Sequence, residues 1–282
     1  WRSHLSPGCH LCRIRLYGGA GRRKIPRQPA RRLSRQGWPA APLCRMPIIH
    51  RVSHQDPFPP TSEALDYPNG LLAVGGDLSQ ERLIAAYRRG IFPWYEEPQP
   101  VMWWTPDPRS VLFPDELHVS RSLRKTLRQD RYSLSVDRHF DPVRGCGAAP
   151  RVEGPGTWIG GQMRVAYQGL HRRGLAHSIE VLNANGDLVG GLYGVAVGQA
   201  FFGESMFSLE ADTSKIALVA LVDILKRGDF KLIDCQVESE HLNKLGARCI
   251  SRLDFEQWLA QTGTVTTDPE VWCLPATCGA LA

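Results

Sequence analysis

Three polar side chains lie in otherwise apolar, strand-like sequence, and they mark where chemistry is expected. Glu204 follows the run QAFFG, and Asp234 and Gln236 lie in the run LIDCQ. A charge in such sequence is costly unless it has a partner or a task. Because strand residues alternate between two faces, Asp234 and Gln236 are predicted to face the same side. Carboxylates in a partly apolar site can hold a cationic group and relay a proton.

The surrounding sequence predicts the elements that position these residues. The runs HSIEVLN, DLVGGLYGVAVG and QAFFGESMF form a strand meander, with a turn at residues 184–186. The glycines in the last two runs either mark bulges or leave room for a close approach to the backbone. A helix capped by Asp212 or Thr213 follows, and then the strand FKLIDCQV, a helix, a short strand and a last helix. This order predicts an α+β fold with a mixed sheet.

Short polar residues and glycines mark the ends of the other predicted helices. Ser79 and Ser120 are expected N-caps, and Gly90, Gly174 and Gly228 are expected helix ends. The helix that ends at Gly174 is predicted to turn four residues inward: Val165, Ala166, Tyr167 and Leu170. The histidines near its end, His171 and His177, are interpreted as surface or packing residues rather than catalysts.

Tryptophans and prolines are concentrated in residues 91–109. Trp94, Trp103 and Trp104 lie there among five prolines, and proline favours extended backbone and removes hydrogen-bond donors. The segment is therefore predicted to be an ordered, rigid loop. Its tryptophans either seal a small core or form a stacking platform for a nucleobase.

Four basic residues recur at three- and four-residue spacing on the helix that starts after Ser120. They are Arg121, Arg124, Lys125 and Arg128, and this spacing places them on one face. A charged helix face is usually just solvated. In a body of net negative charge, however, it is also the right shape for a phosphate backbone.

The positive charge of the whole chain comes from its first 45 residues. They contain eleven of the 34 Lys and Arg residues and no acid, which leaves 23 basic against 28 acidic residues in the remainder. We expect residues 1–45 to be disordered and non-native, with translation starting at Met46. The eight cysteines are scattered, and Cys9 and Cys12 lack a second ligand pair, so free thiols rather than a metal site are expected. No apolar run is long enough for a membrane span, and a soluble, cytoplasmic protein is expected.

Six motifs in order resemble the bacterial leucyl/phenylalanyl-tRNA–protein transferases across roughly residues 66 to 262. The motifs are IFPW (91–94), WWTPDPR (103–109), GTWI (156–159), HSIEV (177–181), FGESMFS (202–208) and LIDCQ (232–236). The resemblance implies an enzyme that moves Leu or Phe, and less well Met, from aminoacyl-tRNA to proteins that begin with Arg or Lys. The product carries an N-degron, a terminal residue that marks the protein for degradation.

The resemblance also implies a fold and a set of partners. The expected architecture is a small N-terminal α/β domain (46–108), a larger GNAT-like mixed-sheet domain (109–265) and a C-terminal tail (266–282). Neither a cofactor nor a metal is expected, and the partners are Leu-tRNA, Phe-tRNA and the acceptor protein. A monomer without membrane attachment is expected.

The site residues follow from the same resemblance. Asp234 and Gln236 would sit beside the attacking amine, with Glu204 orienting them or the acceptor, while Trp94 and Trp158 would grip the terminal adenosine. The basic helix face would bind the tRNA acceptor stem. The apolar pocket for the transferred side chain would consist of Leu192, Met206, Leu218, Leu221 and Ile233. Leu192 and Leu221 are smaller than the Met and Phe common in better-known members, and together they would widen the pocket.

Two other classes of protein compete with this interpretation. An acyl-CoA N-acyltransferase could use the same kind of sheet, but its Q/RxxGxG/A loop is absent before the helix at Asp212. A non-catalytic RNA-binding module would explain the basic helix and the tryptophans. It would leave Glu204, Asp234 and Gln236 without a purpose.

Overall fold

The computed structural model of the protein describes residues 49–147, 160–262, 265 and 268–282. The expectations for residues 1–45 and for Trp158 therefore fall outside the described residues. Residues Ile49 to Ala282 belong to one compact unit, which contains two sheets. The predicted division near residue 108 stays a prediction.

The smaller sheet has four strands: β1 (His50–Val52), β2 (Leu71–Gly75), β3 (Phe92–Pro93) and β4 (Met102–Trp104). Their order is β1-β2-β4-β3, with β1 parallel to β2 and the other neighbours antiparallel. Helix α1 (Gln80–Tyr87) follows β2; the Ser79 hydroxyl caps it by accepting from the Arg82 amide, and Gly90 follows its end with a φ of +70°. Both ends match the sequence prediction.

The prediction of a loop for residues 91–109 is wrong in part, because the segment contains the antiparallel pair β3–β4. Phe92 pairs with Trp104, and Pro93 pairs with Trp103. The prolines are tolerated because only Pro93 lies inside a strand of this pair, at its end, and the others lie in the connecting turn and after β4. Pairing with β2 on the other side of β4 stabilises the extended conformation.

The larger sheet has seven strands: β5 (Arg109–Leu112), β6 (Ser133–Val136), β7 (Ala176–Leu182), β8 (Leu188–Val197), β9 (Ala200–Ser208), β10 (Leu232–Gln236) and β11 (Arg248–Ile250). Their order is β11-β5-β10-β9-β8-β7-β6. Strand β10 is parallel to β9, and the other neighbouring pairs are antiparallel. This confirms the predicted α+β fold with a mixed sheet.

Six further helices surround this sheet among the described residues: α2 (Arg121–Arg128), α3 (Phe140–Gly147), α4 (Gly161–Arg172), α5 (Thr213–Arg227), α6 (Glu240–Asn243) and α7 (Arg252–Thr262). Helix α5 packs on one sheet face and forms most of the core together with β7 to β10. Its start is where predicted, and Asp212 occupies the N-cap position, but the Asp212 side chain makes no capping hydrogen bond. Asp212 pairs with Lys215, and the Ser208 hydroxyl accepts from the Ser214 amide instead.

Helix α4 turns a different set of residues inward from the predicted one. Val165 is 68% exposed, so its inward placement is wrong. The buried stripe runs through Met163, Ala166, Tyr167 and Leu170, which follow the three- and four-residue spacing of one helix face. Val165 lies two residues from Met163 and from Tyr167, which turns it away from that stripe.

The C-terminal segment, residues 268–282, lies along the outer edge of the sheet. The Leu134 amide donates to the carbonyl oxygen of Ala276 at 2.9 Å, next to a β-bridge between Ser133 and Thr277. Trp272 stacks on the His177 ring at 3.5 Å. The histidine is buried and has a packing environment, as the sequence interpretation expected. The segment therefore covers the edge strand β6.

Candidate active site

Two β-bulges position the polar residues singled out in the sequence. Between β8 and β9, Tyr193 pairs with Ser205 and Gly194 pairs with Gly203, so Glu204 is an extra residue. Between β5 and β10, the register shifts in the same way and makes Cys235 the extra residue. A bulge re-aims the side chains beside it. The amide Nε2 of Gln236 thereby reaches Oε1 of Glu204, at 3.3 Å.

A glycine is required at the first bulge. A Cβ atom added to Gly194 would lie 2.2 Å from the carbonyl oxygen of Phe202 and 2.6 Å from the ring of Phe201. No side chain fits there without moving the backbone of β9. The sequence interpretation had left open whether these glycines mark bulges, and Gly194 marks one.

Asp234 is held by an arginine that the sequence analysis did not single out. Arg109, the first residue of β5, donates from Nε to Oδ1 at 2.8 Å and from Nη2 to Oδ2 at 2.6 Å. Both side chains are fully buried, and the guanidinium lies 4.8 Å from the ring of Phe92 and 4.6 Å from that of Phe255. The charge of Asp234 is therefore compensated inside the protein.

The same carboxylate also fixes the backbone of Gln236. Oδ1 of Asp234 accepts the Gln236 amide at 2.9 Å, and Gln236 has a φ of +65°. This left-handed conformation costs a residue other than glycine about 1–2 kcal/mol. Asp234 thus stabilises the conformation that directs the Gln236 side chain toward Glu204.

Glu204 is held by two tyrosines from two different helices. Tyr87 of α1 donates to Oε1 at 2.7 Å, Tyr167 of α4 donates to Oε2 at 2.8 Å, and the two hydroxyl oxygens are 2.5 Å apart. All three residues are fully buried. The site therefore joins the larger sheet to α4 and to the helix that follows β2.

The sequence carried a signal for each of these three additional residues. Arg109 ends the motif WWTPDPR and begins a buried strand. As with Glu204, a charge in such a strand is costly unless it has a partner or a task. Tyr167 is predicted to face inward, and Tyr87 follows Leu83 at the four-residue spacing of one helix face. A buried tyrosine hydroxyl usually has a hydrogen-bond partner, and that rule points to a polar site.

The three tryptophans near the site differ in exposure. Trp103 and Trp104 are buried, and their indole nitrogens donate to the carbonyl oxygens of Gly75 and Trp94 at 2.8 and 2.7 Å. They seal the small core. Trp94 is half-buried, with its ring 5.8 Å from that of Trp104. Of the three, only Trp94 is partly exposed.

The five predicted pocket residues lie together in the core. Each is 2% exposed or less, and all belong to the cluster packed against α5: Leu192, Met206, Leu218, Leu221 and Ile233. Glu204 and Asp234 instead reach α1, α4 and Arg109, on the other side of the sheet. The backbone pairing of β9 with β10 runs to Phe202 and Asp234. Beyond it, the hydrogen bond between Glu204 and Gln236 connects the strands.

The basic helix face is present as predicted from the spacing. Ser120 caps α2 by accepting from the Leu123 amide at 3.2 Å, and Leu123 and Leu127 are buried. Arg121, Arg124, Lys125 and Arg128 are all exposed. None of these four forms an ion pair with an acidic residue in the described part of the chain.

Cys235 is next to the site but is not a nucleophile. Burial raises the pKa of its thiol far above the ordinary value, and the charge of Asp234 adds to this effect. The thiol is therefore neutral and inert at physiological pH. In the described residues, no three His, Cys, Asp or Glu side chains are grouped to hold a metal ion. None of the described helices combines the length and the apolar character that crossing a membrane requires.

Comparison with known families identifies the class of protein. The family model described as "Leucyl/phenylalanyl-tRNA protein transferase" matches residues 111–260, and the model of that family's N-terminal domain matches residues 76–107. The protein is an aminoacyltransferase, an enzyme that acts on aminoacyl-tRNA and a protein. The chain belongs to the leucyl/phenylalanyl-tRNA–protein transferase family.

Curated relatives support the assignment over most of their length. The enzyme of that name from Azotobacter vinelandii is 61% identical over 202 residues, which cover 72% of this chain and 89% of the relative. The one from Pseudomonas putida strain W619 is 60% identical over 203 residues, with the same coverage. Among solved structures, L-PGS from Bacillus licheniformis has 10% identity and a TM-score of 0.34 over 57% of this chain and 52% of its own.

Proposed function

We propose that this enzyme transfers Leu or Phe, and less well Met, from aminoacyl-tRNA to the N-terminal Arg or Lys of acceptor proteins. The product then begins with a large apolar residue and enters degradation as an N-degron. Family membership supports the reaction type. The observation that carries the proposal is the buried junction of Glu204, Gln236 and Asp234, formed by two bulges on neighbouring strands.

The reaction requires one bond to form and one to break. The α-amino nitrogen of the acceptor attacks the ester carbon that links the amino acid to the terminal ribose of tRNA. The carbon–oxygen bond to the ribose then breaks, the amine loses a proton, and the leaving oxygen gains one. The protein must hold an amine against an ester, exclude water and provide a path for that proton.

Glu204 and Gln236 are the groups that we place next to the acceptor amine. The Glu204 carboxyl group is buried, and its two oxygens are acceptors that suit a cationic N-terminus. The Gln236 amide can donate from nitrogen and accept at oxygen, so it can bridge the amine and the carboxylate. Asp234 acts as an electrostatic clamp, since the Arg109 guanidinium and the backbone amide of Gln236 occupy its oxygens.

The transferred side chain is proposed to enter the apolar cluster beside α5. It would pass between β9 and β10 beyond Phe202 and Asp234, where the backbone pairing of the two strands ends. The five pocket residues fill this space, so entry requires them to change rotamer. A pocket of this kind separates side chains that differ by one methylene by only about 1–3 kcal/mol, which fits a mixed preference for Leu, Phe and Met.

The tRNA is proposed to bind along α2 and at the half-buried tryptophan. The four exposed basic residues of α2 match a phosphate backbone, and Trp94, which is partly exposed, suits stacking on the terminal adenosine. The second adenosine contact, Trp158, remains a prediction from the family resemblance.

A transfer assay with two matched variants tests the proposal. Labelled Leu-tRNA is offered with a peptide that begins with Arg and, as a control acceptor, with one that begins with Ala. We expect transfer to the Arg peptide by the wild type and a loss on the order of a hundredfold with Glu204→Gln, which keeps the shape but removes the charge. Glu210→Gln is the control, because Glu210 also accepts from a tyrosine, Tyr132, at 2.8 Å.

Three results would count against the proposal. Full activity of Glu204→Gln would remove Glu204 from the reaction. Equal transfer to both peptides would reject the proposed acceptor. Binding of tRNA without transfer would reduce the protein to a binding module.

A further inference from the structure

Arg109 makes more contacts than neutralising the charge of Asp234 requires. Its fork meets the carboxylate of Asp234 at two points, and the guanidinium lies between the rings of Phe92 and Phe255. These rings belong to different elements, Phe92 to β3 and Phe255 to α7. A cation held by a fork and two rings has very little orientational freedom.

The orientation of the Asp234 carboxylate determines the bulge in β10. Oδ1 of Asp234 is shared by Nε of Arg109 and the backbone amide of Gln236, at 2.8 and 2.9 Å. If the carboxylate rotated, the hydrogen bond that supports the left-handed conformation of Gln236 would lengthen. The side-chain amide of Gln236 would then no longer point at Glu204.

We propose that Arg109 is a positioning residue of the transferase. It fixes the Asp234 carboxylate, and the bulge then presents the side-chain amide of Gln236 to Glu204. The inference rests on the role proposed above for Gln236. Arg109 is fully buried and acts through its two hydrogen bonds to Asp234. Its effect is therefore on the rate of transfer rather than on tRNA binding.

The alternative is an ordinary ion pair that serves only stability. A buried pair is weak evidence for a gain in stability, because desolvation of both charges offsets their attraction. A second arginine of the same sheet provides the comparison. Arg248 of β11 forms a similar fork with Glu116, at 2.9 and 3.4 Å, and lies 4.5 Å from the ring of Phe113, but it is exposed and its partner is not in the site.

The test measures kcat and KM for aminoacyl-tRNA in Arg109→Lys, Arg109→Met, Gln236→Ala and Arg248→Met, with folding checked by thermal melting. Lysine keeps the charge but cannot form the fork. We expect both Arg109 variants to lose kcat by about tenfold or more while KM stays within about threefold, and Arg248→Met to retain both constants. In the Gln236→Ala background, Arg109→Lys should lower kcat no further.

The outcomes separate this inference from the proposed function. A Gln236→Ala variant with wild-type kcat would remove the role of Gln236, and with it the proposed mechanism. A slow Gln236→Ala variant alongside a folded Arg109→Lys variant of wild-type kcat would overturn only the inference. An effect confined to KM, an additional loss in the Gln236→Ala background, or failure of both Arg109 variants to fold would also overturn it.

Discussion

The two buried carboxyl groups of the site have different hydrogen-bond partners. Glu204 and Asp234 are both fully buried, yet their surroundings differ: two tyrosine hydroxyls hold Glu204, whereas an arginine neutralises Asp234. The ion pair with Arg109 leaves the Asp234 carboxylate poorly suited to bind a second cation. This difference supports our proposal that Glu204, rather than Asp234, meets the acceptor amine.

The buried thiol of Cys235 makes the fold sensitive to alkaline pH. Its pKa is raised by burial and by Asp234, so the folded state keeps the proton above the ordinary value of 9.0, where the unfolded chain loses it. Its contribution to stability is full below pH 9 and is lost as the pH rises further, by about 1.4 kcal/mol per pH unit. We expect Cys235→Ala to reduce the fall in melting temperature between pH 8.5 and 10.

The control for this experiment is the exposed Cys273, changed to alanine in the same way. Its variant should show the wild-type slope of melting temperature against pH. An unchanged slope for Cys235→Ala would contradict the argument, whatever the absolute stability of that variant at neutral pH.

Helices and strands with local signals were predictable from the sequence, and the bulges were not. Ser79, Ser120 and Gly90 mark helix ends because capping depends on a few neighbouring residues. The bulges at Glu204 and Cys235 depend on the register of a partner strand, which the sequence of one strand does not contain. Glu204 and Gln236 could therefore be nominated as site residues, but their hydrogen bond could not be derived.

Substitutions on the exposed face of helix α2 should affect tRNA binding alone. Replacing Arg121 or Lys125 by glutamine removes an exposed charge and leaves the buried Leu123 and Leu127 in place. We expect a higher KM for aminoacyl-tRNA and a salt dependence reduced by roughly one unit of log–log slope per lost phosphate contact. Kinetics at several salt concentrations, with aminoacyl-tRNA and with a minimal aminoacyl-adenosine donor, measure both effects.

The minimal donor and an exposed lysine elsewhere provide the controls for α2. Because aminoacyl-adenosine lacks the acceptor stem, its KM should stay nearly unchanged in both variants. Lys244→Gln, at the end of α6, removes an equally exposed charge and should not alter the salt dependence. Equal losses with both donors would show that α2 acts on the active site rather than on tRNA.

The C-terminal segment, residues 268–282, packs on the larger sheet and lies beyond the stretch that matches the family model. Trp272 packs on His177, and its ring centroid is 6.0 Å from those of both Phe201 and Phe230. The segment also pairs with β6, which would otherwise be an unprotected edge strand. The sequence of this segment lacks a sustained helix or strand period and therefore predicts no element there.

Removing the Trp272 side chain should loosen the whole segment. We expect Trp272→Ala to lower the free energy of unfolding by about 3 kcal/mol, since a large, partly buried ring is lost from the core margin. Urea unfolding followed by circular dichroism measures the change. Ala276→Ser, at an exposed residue of the same segment, should have little effect. A Trp272→Ala variant of unchanged stability would show that the segment contributes nothing to the fold.

The tyrosine pair on Glu204 ties the proposed catalytic carboxyl group to α1 and to α4. Tyr87 is 117 residues away from Glu204 in sequence, and Tyr167 is 37 residues away. Any partial detachment of the first helix would strip a donor from the carboxylate while the seven-stranded sheet stayed intact. If Glu204 acts as proposed, the rate of transfer would fall before the seven-stranded sheet unfolds, and activity would report such damage earlier than spectroscopy.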